Sequence, residues 1–129
     1  NSKERKVVAM EKLLKTKLEA VVELKNFTNT IMELNLKTQY AMVDAMLEER
    51  QKLLENISEI EAKIKAERNS GNFVETNVTR ELTREIRQVL ADIYKIDNIL
   101  RKNINEELKI VREKINHPET TSKSVNLKA

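Results

Sequence analysis

The sequence predicts an all-α fold, an elongated antiparallel three-helix bundle or helical hairpin coiled coil with a C-terminal tail. Three observations carry that expectation. Apolar residues recur every three or four positions along most of the chain, the period of one helix face. Charged residues make up 35% of the 129, with one glycine and one proline, a balance typical of long helices. Three interruptions, ELNLKT, RNSGNF and His117-Pro118, divide the periodic stretch into lengths.

The first element is expected over residues 3–34. Val7, Met10, Leu14, Leu18, Val21, Leu24, Phe27, Ile31 and Leu34 form one stripe there, with Ser2 placed to cap it. ELNLKT shifts the apolar phase without a glycine or proline. Two helices, or one kinked helix, both satisfy that segment. The second element, residues 38–68, reads as heptads: Val43, Arg50, Ile57 and Ile64 at a, Met46, Leu53 and Ile60 at d. Gly71 suits the left-handed position after a helix. The third element, residues 77–116, carries Val78, Leu82, Ile86, Val89, Ile93, Ile96, Leu100, Ile104, Leu108, Val111 and Ile115. Pro118 disfavours helical geometry at the residue before it. At 1.5 Å per residue the first two helices measure about 45 Å each and the third about 60 Å. The third is therefore expected to overhang by roughly two to three turns. Residues 1–116 read as one helical domain and residues 117–129 as a polar tail.

Composition also narrows function. A net charge of +3 spread over mixed signs lacks the concentrated basic stripe of a nucleic-acid surface. No apolar run approaches the ~20 residues of a membrane span. With no cysteine there is no disulfide scaffold and no thiolate zinc site. His117 is the only histidine, and no Glu-x-x-His pair, phosphate-binding glycine loop or nucleophile elbow occurs. No enzyme activity, cofactor, metal or small-molecule substrate is expected.

Arg50 interrupts an otherwise apolar seam, and Asp97 follows Ile96 in KIDNIL. A hairpin of the second and third helices around Gly71 places the two opposite each other. Three roles are compatible with Arg50: a snorkelling cation, a register-setting pair with Asp97, or a partner contact. Met32, Met42 and Met46 cluster near the first break, where flexible thioethers suit either core or an adaptable binding surface.

DAMLEERQKLLENI (residues 44–57), preceded by a long amphipathic helix and followed by IYKIDNIL (residues 93–100), resembles the flagellar type III export chaperones of the FlgN/FliT type. The resemblance spans roughly residues 5–116. It implies a cytoplasmic helical chaperone of flagellated bacteria. Such a chaperone binds an amphipathic helix of a hook-filament junction or filament-cap subunit and delivers it for export, without chemistry of its own. A partner groove is expected on the second and third helices, from Met42, Met46, Leu53, Ile86, Val89, Ile93 and Leu100. Family members often dock to the export gate through a tyrosine near the C-terminus. The tail here has none, and Tyr94 lies mid-helix, so that device is not carried over. A homodimer is compatible with this reading. The competing expectations are a structural or adaptor coiled coil that self-associates and a helical sensory or tethering fragment.

Overall fold

The computed structural model describes residues 2–71 and 73–116. Three helices account for the fold: α1 (Ser2–Met32), α2 (Tyr40–Arg68) and α3 (Asn77–Asn116), with no strand among the described residues. The fold is an all-α three-helix bundle. His117-Pro118 and the tail expected at residues 117–129 lie outside the described residues.

The first break is a true turn, so α1 and α2 are separate helices. Asn35 builds it. Its Oδ1 accepts the backbone N–H of Lys37 at 2.8 Å and of Thr38 at 3.2 Å, which replaces the helical hydrogen bonds locally. The Asn35 N–H donates to Gln39 Oε1 at 2.9 Å, closing the loop onto the start of α2. Between α2 and α3, Gly71 takes φ +85°, as its position after a helix predicts. A reciprocal cap then opens α3. The Thr79 N–H donates to Thr76 Oγ1 at 3.1 Å, and the Thr76 N–H donates to Thr79 Oγ1 at 2.9 Å.

α1 is the middle helix. Its stripe Met10, Leu14, Val21, Leu24 and Ile31 is the most deeply buried surface in the molecule, and both other helices pack on it. Along α2, Arg50 meets Thr28 and Glu61 meets Lys17, so α2 runs antiparallel to α1. Along α3, Asp92 meets Lys25 and Thr76 meets Glu11, so α3 runs parallel to α1. α2 and α3 are accordingly antiparallel to each other, and the hairpin expectation that sets Arg50 opposite Asp97 holds. Their backbones stand farther from each other than each stands from α1, and they meet through side chains. α1 carries the most deeply buried apolar stripe, and both neighbours seat on it.

Two apolar clusters result. The larger joins Met10, Leu14, Val21 and Leu24 to Ile57, Ile60, Ile64, Leu82, Ile86 and Ile93. The smaller gathers Ile31, Val43 and Leu100 with Phe27, Leu34, Leu36, Met46, Leu47 and Ile104 around the first turn. Beyond Glu107 every described residue of α3 is exposed. That leaves about nine residues, or 13 Å of helix, projecting past the packed bundle. The overhang has the expected length.

Candidate functional site

The polar residues of the seam come together from all three helices. Arg50 Nη2 donates to Asp97 Oδ1 at 2.6 Å, and Arg50 Nε donates to Thr28 Oγ1 at 2.9 Å. The fully buried Thr28 hydroxyl in turn donates to the Leu24 carbonyl at 2.7 Å. The Arg50 and Asp97 side chains are only 13% and 23% exposed, so the guanidinium is held rather than trailing into water. Geometrically this is a tie between α1, α2 and α3 at one level. Thr28 is the member that heptad reasoning missed. The signal was present, because Leu24–Thr28–Ile31 spacing puts a hydroxyl on the α1 stripe.

Beside this node lies a crevice of about 170 Å³, lined by Leu47, Arg50, Asp97, Leu100, Arg101 and Ile104. It occupies the gap that remains because α2 and α3 straddle α1. Its walls are the Arg50–Asp97 ion pair, the Arg101 side chain and aliphatic carbon. Among the described residues no group of three or more His, Asp or Glu side chains is arranged to hold a metal ion.

The groove expected from sequence separates into three environments. Ile86, Ile93 and Leu100 are buried in the bundle at 3%, 6% and 6% exposure, so they do not line an open face. Leu53 and Val89 pack half-buried against the larger cluster, and Met46 against the smaller. Met42 alone is exposed. The correction has a plain cause. Apolar spacing is the same for a stripe facing α1 as for one facing a partner, and α1 covers these residues first.

An uncovered face exists elsewhere. At 100° per residue, Ile93, Asp97, Leu100, Ile104, Leu108, Val111 and Ile115 fall within an arc of roughly 80° on α3. The first part of that arc is packed beneath α1 and α2. Its continuation, Leu108, Val111 and Ile115, is exposed at 36%, 44% and 69%. One stripe therefore passes from core to surface where its neighbours end.

Ion pairs between elements are few and partly wet. The Lys25 ammonium hydrogen-bonds Asp92 at 3.0 Å and holds its carboxyl below the ordinary aspartate range. Partial desolvation opposes that shift, and Gln88 reinforces it. On the surface, Arg84 similarly lowers Glu81, and Glu49 raises Lys52 through an i,i+3 contact.

No family model, curated protein or solved structure matches this chain. No helix among the described residues is long and apolar enough to cross a membrane.

Proposed function

We propose that this protein is a cytoplasmic, non-enzymatic chaperone that holds an amphipathic helix of a protein client, in the manner of the flagellar type III export chaperones its sequence resembles. The client class is a late export subunit, a hook-filament junction or filament-cap protein. One observation carries the reading: the α3 stripe leaves the core and continues uncovered through Leu108, Val111 and Ile115. A helix with apolar residues at i, i+3, i+4 and i+7 fits such a stripe, and burying it removes apolar surface from water. Met42 and Met46 at the start of α2 supply adaptable apolar contacts on the same end of the bundle. Export of an unfolded subunit requires a hold that releases, and a three-turn seam provides a modest one.

The test is direct binding of labelled peptides from the C-terminal helices of hook-junction and cap subunits, read by fluorescence anisotropy. The expected result is saturable binding that Leu108→Asp and Val111→Asp weaken at least tenfold while helicity is unchanged. Equal binding by both variants, or none by the parent protein, would count against the reading. A stable high-order oligomer with no affinity for any such peptide would favour the structural coiled coil instead.

A further inference from the structure

We propose that the unloaded protein pairs with a second copy of itself through the projecting ends of α3, antiparallel and about a twofold axis. The direction follows from the fold. A parallel second copy would have to run its residues 77–103 through the space that α1 and α2 occupy on this face. Entering from the opposite end, it meets the exposed residues 108–116 and half-buried Ile104 at their base.

The sequence of this length fits the antiparallel register. Leu108 and Ile115 read as a positions, Ile104 and Val111 as d positions. In an antiparallel pair a packs against d of the other helix. Leu108 then lies on Val111 of the second copy, twice by symmetry, and Ile115 lies on half-buried Ile104 of the second copy, also twice. All four apolar positions fall into layers. The flanking charges agree. Glu107 and Lys114 occupy the same edge of the seam, and antiparallel geometry sets each opposite the other's counterpart, giving two Glu107–Lys114 pairs between copies. On the other edge Asn105 faces Arg112 of the second copy. Residues 117–129 are a poor substitute, because their only large aliphatic side chains are Val125 and Leu127. Four layers make a small isologous contact, so the pairing belongs to the weak, concentration-dependent class.

The protein lacks cysteine, which makes the test clean. Leu108→Cys and Val111→Cys chains are mixed under a glutathione redox buffer, and disulfide-linked species are separated by non-reducing electrophoresis. The expected result is a mixed Leu108→Cys/Val111→Cys dimer forming at least fivefold faster than either like-with-like dimer. Faster linkage of Leu108→Cys to itself would mean parallel pairing and would overturn the proposal. So would a parent protein that sediments as a monomer at every concentration up to 1 mM, roughly the weak limit of specific association. Charge exchange provides a second measurement without cysteine. Glu107→Lys and Lys114→Glu should each reduce self-association severalfold alone and recover it when mixed, and no recovery on mixing contradicts the register. Leu108, Val111 and Lys114 are on the projecting length and Glu107 is at its base, and circular dichroism checks that the bundle is intact. No client is present in either experiment, so their failure leaves the client reading standing, and the reverse holds too.

Discussion

Arg50 is a cation at a seam position, and its neighbours explain how it is tolerated. Burying a guanidinium is costly unless its donors are satisfied. Thr28 and Asp97 each take one of those donors, from different helices. The arrangement is expected to favour one alignment of three helices rather than to add much net free energy. Removing a single member should therefore hurt more than replacing the pair. Asp97→Ala is expected to cost about 1–2 kcal/mol in urea denaturation, because the partly buried Arg50 loses its charge partner. Arg50→Leu combined with Asp97→Leu is expected to keep or raise stability while broadening the amide spectrum as register loosens. A double variant that is less stable than Asp97→Ala would show that the pair is a net source of stability. Thr28→Val removes the Nε acceptor and should cost about 1 kcal/mol.

At the scale of elements, the helices are delimited by hydrogen bonds that single residues supply. Asn35 turns the chain with its side chain where no glycine or proline is available. Gly71 works differently. A Cβ there would meet nothing within 4 Å, so a substitution is strained by backbone conformation alone. Gly71→Ala should lower stability by about 1 kcal/mol through that strain, measured by the shift in denaturation midpoint. The α1–α3 contact carries a pH signature. Asp92 has a depressed folded-state pKa because Lys25 hydrogen-bonds its carboxylate. Its contribution is present above the unfolded aspartate value of about 4 and is lost as pH falls through the lower folded value. The stability gap between the parent protein and Asp92→Asn should accordingly close on acidification from pH 6 to pH 2. A constant gap would assign the effect to packing.

For the whole molecule, the decisive asymmetry is between a buried middle helix and a projecting third one. Leu24 lies 2% exposed between both neighbours, so Leu24→Ala should cost about 2–5 kcal/mol. Val111→Ala, on the projecting length, should stay within about 0.5 kcal/mol. Amide exchange should report the same division. Residues 108–116 are exposed among the described residues, and exchange there should be far faster than at Val21 or Leu24 until a client or second copy covers them. Client helix and second copy would use one seam, so client binding and self-association are expected to exclude each other.

Much of this molecule is legible from one dimension. The 3.6-residue period located all three helices, Gly71 marked the second turn, and relative lengths implied a projecting third helix. The opposition of Arg50 and Asp97 followed from hairpin counting along the chain. The groove residues were not legible in the same way. Periodicity tells which side of a helix is apolar but not what that side faces, so Ile86, Ile93 and Leu100 read alike whether they meet α1 or a client. Thr28 showed the converse problem, a polar residue on an apolar stripe whose role depends on a side chain 22 positions away. Local pattern, being a property of each segment, determined the helices and their apolar faces. Only tertiary packing decided that α1 lies in the middle, because that depends on how three stripes of unequal length cover one another. The same packing left the end of the α3 stripe exposed among the described residues.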